Sequence, residues 1–326
     1  MDVMTRLRQR ARALNKRIAF PEGEDPRTVR AAAMLAEDGL LRPLLIGREE
    51  RVREAARETG VALPASVPVL DPARAERTGD YARELFHLRK DRGMSYEEAG
   101  ERAQDPLYFG PLMVRRGDAD GSVAGAANAS GDVIRAAIHA IGVAEGSALV
   151  SSFFLMLLPD GRAVTFADCG VMPEPDPRQL ASIGVDAARS HRMLTGEDPR
   201  VAFLSFSTKG SAEHPRVDKV REAVALAQQR APDLPIDGEF QFDAAFDRDV
   251  GERKAPGSPV AGKANVFVFP DLDAGNIGYK IAQWVGGAQA LGPILQGLAK
   301  PVNDLSRGAT AEDIADVGVI TAVLAG

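Results

Sequence analysis

The chain has 326 residues, 45% of them hydrophobic, with one cysteine, four histidines and a formal net charge of −6. That length holds two compact α/β domains or one large one, and an acidic chain with both charge signs mixed along it excludes a general nucleic-acid surface. No apolar run reaches the ~18 residues of a membrane span, the lone Cys169 excludes an internal disulfide framework, and His87, His139, His191 and His214 lie too far apart to form a metal-ligand motif. The charged, amphipathic opening Met1–Leu7 lacks a signal-peptide apolar region, so a reducing, cytoplasmic location without membrane partners is expected.

In chain order, Arg17–Phe20 is a short buried-type strand, and Asp25-Pro26 supplies an N-cap and a proline for the first helical position. A helix follows through Val29 to Leu35, and Leu41–Gly47 is the next strand. Helical patterns cover Arg74–Arg92 and Tyr96–Gly117; Ser122–Ala126 enters a Gly/Ala-rich loop, and Asp132–Ile141 is a further helix. Ala148–Phe154 is strongly strand-like and marks a domain boundary just before it. The alternation of strand and helix continues to the C-terminus, which predicts an α/β fold of parallel sheets flanked by helices. Lys254–Lys280 is the stretch densest in Gly, Pro and Asn, around the strand Asn265–Phe269. Loops after parallel strands are where α/β folds bind ligands, and Phe20–Gly23 and Phe269–Leu272 both occupy such positions.

Gly257–Ala264 has the GxxxxGK spacing of a phosphate loop, but Ala264 stands where magnesium needs Ser or Thr, and the segment precedes a strand instead of following one. Nucleoside triphosphate binding is not expected. Ser205–Ser211, with Ser207, Thr208, Lys209 and Gly210, follows the strand Val201–Leu204; it is either an anion cradle or an ordinary Ser/Gly-rich loop. Asp304–Gly308 carries Ser306 and Arg307, whose planar fork can grip two phosphate oxygens. Thr310 and Asp313 have capping-box spacing, which leaves Asp313 a helix cap, a catalytic carboxylate or both. Arg89 and Arg135 are either anion ligands or solvated helix charges, and Cys169 is more fitted to the core than to nucleophilic attack.

Taken together, the segments Phe20–Gly23, Asp120–Ala126, Ser205–Ser211, Asp237–Ala245, Lys254–Asn265, Phe269–Leu272, Gly275–Lys280 and Gly297–Gly308 resemble the phosphate acetyltransferase and butyryltransferase family over nearly the whole chain. Any one of these is weak, whereas all of them in this order are specific. The resemblance implies two parallel-sheet α/β domains of isocitrate/isopropylmalate dehydrogenase type with a cleft between them. Residues 1–147 plus 303–326 form the first domain, and 148–302 form the second, which dimerises. It also implies coenzyme A and phosphate as small-molecule substrates, with no metal, nicotinamide or other cofactor required.

By the same resemblance Arg307 binds phosphate and stabilises charge, Ser306 lies near the developing oxyanion, and Asp313 takes the thiol proton. Arg89 and Arg135 match basic contacts to phosphate or coenzyme A, and Ser207, Thr208, Lys209, Gly210, Asn276 and Lys280 match substrate-binding positions. A carboxylate of ordinary strength is a poor base for a thiol, so orienting the thiol or Arg307 is the other role open to Asp313. The sequence departs from its relatives at Trp284, at Ala212–Pro215 and at Asn128–Ser130. A butyryltransferase differs only in acyl-pocket volume. An acetyl-CoA-sensing domain is the rival of another class, and an opening at Met1 without a malic-enzyme domain favours an independent enzyme.

Overall fold

The structure is a computed structural model that describes residues 2–326. The chain begins α1 (Val3–Leu14), β1 (Arg17–Phe20), α2 (Pro26–Glu37), β2 (Arg42–Ile46), α3 (Glu49–Thr59), β3 (Val69–Leu70), α4 (Thr78–Arg89), α5 (Tyr96–Ala103), α6 (Pro106–Arg116), β4 (Gly121–Val123) and α7 (Ser130–Ala140). It continues β5 (Ser151–Leu157), β6 (Ala163–Ala167), α8 (Pro177–Thr195), β7 (Val201–Leu204), α9 (Pro215–Arg230), β8 (Ile236–Phe240), α10 (Phe242–Phe246), α11 (Arg248–Lys254) and β9 (Val266–Val268). The last elements are α12 (Leu272–Trp284), β10 (Gln289–Gln296), β11 (Val302–Asn303) and α13 (Ala311–Leu324). Two compact units result: one runs to Ala144 and resumes over Leu298–Gly326, and the other is Glu145–Gly297.

The first unit holds a five-stranded, all-parallel sheet in the order β11-β4-β1-β2-β3. Ile18, Ala19, Phe20, Leu45 and Ile46 are fully buried, as continuous apolar strands covered on both faces must be. Gly121 on β4 leaves room for α13, because a Cβ there would lie 2.5 Å from the Thr321 methyl. Since β11, β4 and β1 are parallel neighbours, the loops that leave their carboxyl ends, starting at Asp304, Ala124 and Pro21, share one edge of the sheet.

The helix expected over 96–117 is two helices. Asp105 accepts a hydrogen bond from Leu107 N at 2.9 Å and caps α6, with Pro106 in its first turn. A proline restricts the residue before it and cannot donate backward, so α5 ends and α6 starts afresh. The Gly/Ala-rich segment at 122–126 also begins as strand, since Gly121–Val123 is β4.

The second unit holds a six-stranded sheet in the order β10-β5-β6-β9-β7-β8. Here the expectation of a purely parallel sheet is corrected: β6, β9, β7 and β8 pair in parallel, but β5 is antiparallel to both β10 and β6. The physical reason is the connection. Strands β5 and β6 are joined by the turn Pro159-Asp160-Gly161, closed by Leu158 N donating to Arg162 O at 2.8 Å. A parallel pair needs a crossover of about a dozen residues. Phe153, Phe203, Phe240 and Phe267 are fully buried in this unit, and no helix among the described residues is long and apolar enough to cross a membrane.

Candidate active site

The edge shared by β1, β4 and β11 is organised by a carboxylate. Glu22, directly after β1 and buried, accepts hydrogen bonds from the consecutive backbone N–H groups of Gly125 (2.9 Å), Ala126 (2.7 Å), Ala127 (3.0 Å) and Asn128 (2.8 Å). Asn128 Nδ2 adds a further bond at 2.8 Å. Successive N–H groups curved around one anion form a nest, and a side chain of the protein fills this one. The strap from residue 124 to 128 is thereby fixed to β1. A cavity of about 680 Å³ opens on the same edge, lined by Pro21, Glu22, Asp25, Arg48, Asp105 and Asn128, a volume suited to a small organic ligand.

Arg27, in the first turn of α2, joins that strap to the loop after β11. Its Nε and Nη2 donate to the Asp25 carboxylate (3.1 and 2.8 Å), Nη2 also to Ala126 O (2.7 Å), and Nη1 to Arg307 O (2.8 Å) and Ala309 O (3.0 Å). Five donors in a rigid fork therefore bind three loops together. Arg307 takes part through its carbonyl, which leaves its exposed guanidinium without an ion pair among the described residues. Ser306 is exposed beside it, its hydroxyl accepting from Gly308 N at 3.3 Å.

Asp313 caps α13. Its Oδ2 accepts from Thr310 N (2.9 Å) and Thr310 Oγ1 (2.8 Å), while Thr310 Oγ1 accepts from Asp313 N (3.1 Å). The capping box is thus present, and Asp313 Oδ1 has no partner among the described residues. Ser306, Arg307 and Asp313 share one turn-and-cap segment.

Arg89 lies at the end of α4 and Arg135 on α7, and their charges, with that of Arg102, act on His139. Burial first, then the charges of these three arginines, pushes His139 down to about 4, which keeps it neutral near physiological pH. Tyr108 OH accepts from Arg102 Nη1 at 2.7 Å and meets His139 Nδ1 at 3.2 Å. Arg135 forms an exposed pair with Asp132 at 2.7 Å, worth little in stability, and Arg89 has no ion pair among the described residues. With Arg102 paired to Glu98 and Arg135 to Asp132, Arg89 is the arginine here whose charge is open to an anionic ligand among the described residues.

In the second unit the Ser205–Ser211 loop turns its donors onto neighbouring strand β8. Glu239, buried, accepts from Ser207 Oγ (2.9 Å), Gly210 N (2.9 Å) and Arg221 Nε (3.0 Å). Burial acts to raise this carboxyl, but the Arg221 guanidinium and the loop donors outweigh it and hold it below the ordinary range. Lys209 Nζ bonds Asp237 and Gly238 O, and Thr208 Oγ1 accepts from Gln241 N at 2.9 Å. Asn276, on α12, donates to Cys169 O (3.0 Å) and accepts from Lys280 Nζ (2.8 Å). Cys169 is fully buried, and burial with Asp168 beside it pushes its thiol well up, so it is no nucleophile. Gly257–Ala264 is a run of turns leading into β9, without the helix a phosphate loop requires. No group of three or more His, Cys, Asp or Glu side chains among the described residues could hold a metal ion.

Residues 2–322 match the family model described as phosphate acetyl/butaryl transferase. The chain belongs to this family. It is an acyltransferase family, and this chain is 46% identical over 330 aligned positions to a phosphate acetyltransferase of Thermoanaerobacterium thermosaccharolyticum, covering 100% of both chains. A solved phosphotransacetylase from Streptococcus pyogenes superposes with a TM-score of 0.94 at 44% identity, covering 99% of this chain and 98% of that one. A 4-hydroxythreonine-4-phosphate dehydrogenase from Klebsiella pneumoniae, only 15% identical, superposes with a TM-score of 0.56 over 95% of this chain and 98% of its own. That likeness extends the dehydrogenase-type fold and nothing more.

The sequence alone assigned no role to Glu22, Arg27 or Asp304 in this acyltransferase fold. A signal for Glu22 was present: a charged residue between Pro21 and Gly23, directly after a buried strand, has to meet donors. Arg27 carried none, because the carbonyls it binds lie about 100 and 280 positions away.

Proposed function

We infer that the chain catalyses reversible transfer of an acetyl group between coenzyme A and inorganic phosphate, acetyl-CoA and phosphate giving acetyl phosphate and CoA. The carrying observation is the exposed guanidinium of Arg307, unpaired among the described residues, on a turn whose Arg307 carbonyl Arg27 holds at the loop edge of a chain that is colinear with phosphate acetyltransferases. In one direction a phosphate oxygen attacks the thioester carbonyl and the thiolate leaves; in the other a thiolate attacks acetyl phosphate and phosphate leaves. Both pass through a tetrahedral oxyanion. Arg307 neutralises phosphate and developing negative charge, and Ser306 donates beside it. Arg89 and Arg135 bind phosphate groups of coenzyme A, as anion ligands for which His139 need supply no charge. Ser207, Thr208, Lys209, Gly210, Asn276 and Lys280 are proposed substrate-binding positions of the second unit. Turnover measured across acyl-CoA chain lengths tests the reading: acetyl-CoA should outrun butyryl-CoA, and a butyryl preference would assign the family's other activity. No metal is required in this scheme, so turnover should survive a strong chelator.

Asp313 is assigned to the thiol proton through Oδ1 while Oδ2 keeps the cap. Asp313→Glu preserves the cap acceptor but moves the carboxylate by a methylene, so turnover should drop at least ~10-fold with an unchanged melting point. Asp313→Ala should lose turnover and also about 1 kcal/mol of stability. A fully active Asp313→Ala would remove the catalytic assignment.

The second unit is proposed to carry a homodimer interface. Ile277 (57% exposed), Ile281 (55%), Trp284 (82%) and Val285 (83%) form an apolar stripe at helical spacing on and just past α12. Sedimentation at micromolar concentration should give a dimer, and Trp284→Glu should shift it towards monomer. A monomeric parent would refute the assignment.

A further inference from the structure

Asp304 follows β11 and is 2% exposed, and its Oδ1 is buried without a hydrogen-bond partner among the described residues. The Ser130 side chain, in the first turn of α7, and Leu305 N lie near the carboxyl and favour its charged form. It packs against Gly125, where a Cβ would lie 2.3 Å from Asp304 Oδ1 and 2.6 Å from Leu305 N. The N–H of the same glycine bonds Glu22 Oε2. Gly125 is therefore held between two buried carboxyl groups, at φ +116°, a conformation only glycine adopts freely. Buried polar atoms are nearly always satisfied, so an unmet carboxylate oxygen two residues before Ser306 calls for a reason.

We propose that Asp304 is a positioning residue for acyl transfer: it ties the Ser306–Arg307 turn to the first turn of α7 and to the strap around Glu22, and so fixes where Arg307 presents its charge. This rests on the acyl-transfer reading above. The titratable group facing Asp304 is Glu22, from the loop after β1. Ser130 of α7 is not titratable, and Arg27 of α2 is committed to Asp25 and to the carbonyls of Ala126, Arg307 and Ala309. Burial pushes the Asp304 carboxyl up to about 6; the nearby donors of Ser130 and Leu305 pull against this, and the Glu22 carboxylate adds to the rise. A folded-state value above the unfolded one makes the protonated form the more stable. That stability is complete below the ordinary carboxylate range and is lost as pH rises through about 6.

The test compares the parent with Asp304→Asn and Asp304→Ala, in turnover of acetyl-CoA with phosphate and in thermal melts. Asp304→Ala should lose at least ~30-fold in kcat, with KM for either substrate within ~3-fold, as expected when a group supports only the transition state. Asp304→Asn keeps an acceptor for Ser130 and Leu305, so its kcat should stay within ~5-fold of the parent. Its melting point should exceed the parent's by a margin that widens between about pH 4 and 6 and levels off above about 7, and it should lack the parent's inflection in kcat near pH 6. The proposal is overturned if Asp304→Ala keeps a third or more of parental kcat. It is equally overturned if Asp304→Asn tracks the parent in both melting and kcat profile across that range. Should Asp304→Ala not fold, the Asp304→Asn comparison decides alone. The parent's own turnover reads the acyl-transfer assignment separately from these ratios.

Discussion

Replacing Arg307 with Ala should lower turnover by about 10² or more while leaving the melting point close to that of the parent. The two readouts separate because of how the residue is held. Arg27 grips the Arg307 carbonyl, at 2.8 Å, and the guanidinium itself is exposed and unpaired among the described residues. Removing the side chain therefore deletes the charge but none of the bonds that shape the turn. Arg307→Lys should recover only part of the loss, since an ammonium cannot donate in parallel to two oxygens of one phosphate. Steady-state kinetics beside thermal melts check both statements. A large fall in melting point would place Arg307 in the fold and not in the chemistry.

Replacing Glu22 should do the reverse and strike stability first. Glu22→Ala would strand the N–H groups of Gly125 and Ala126, both buried, and those of Ala127 and Asn128, partly buried. At ~1–3 kcal/mol for each buried donor left unmet, tempered by water reaching the outer pair, the loss should be about 3 kcal/mol. For a unit of this size that corresponds to a melting point lowered by roughly 6–12 °C. Glu22→Gln should be intermediate, because its amide NH₂ would face N–H donors instead of accepting from them. Turnover should fall in both, since the strap supports the Arg307 turn through Arg27. Differential scanning calorimetry gives the first quantity; a Glu22→Ala protein that melts like the parent would show that the nest is dispensable.

Much of the first sheet is legible in the sequence because its strands are buried on both faces. Arg17–Phe20 stands where expected, bounded by the Asp25-Pro26 helix start. The break at Asp105-Pro106 was written in the chain as plainly as the one at Asp25-Pro26, yet an apolar pattern running across it masked it. The antiparallel pairing of β5 with β10 was not legible, since those strands are more than a hundred residues apart and an apolar run carries no direction. At the site, the capping box of Thr310 and Asp313 was visible from spacing, because capping is local. The contacts of Glu22, Arg27 and Asp304 were not, because each joins loops that only the order β11-β4-β1 brings together. The Ser205–Ser211 loop has the hydroxyls and lysine of an anion cradle, but sequence could not show that Glu239 and Asp237 already meet several of its donors.

The most direct measurement is phosphorus NMR of the purified protein supplied with acetyl-CoA and inorganic phosphate. Growth of an acetyl phosphate resonance at the expense of the phosphate signal, with free thiol released in equal amount and the reaction reversed by added CoA, is the predicted result. Binding of acetyl-CoA with no acetyl phosphate formed in either direction would contradict the account and point to a sensing domain.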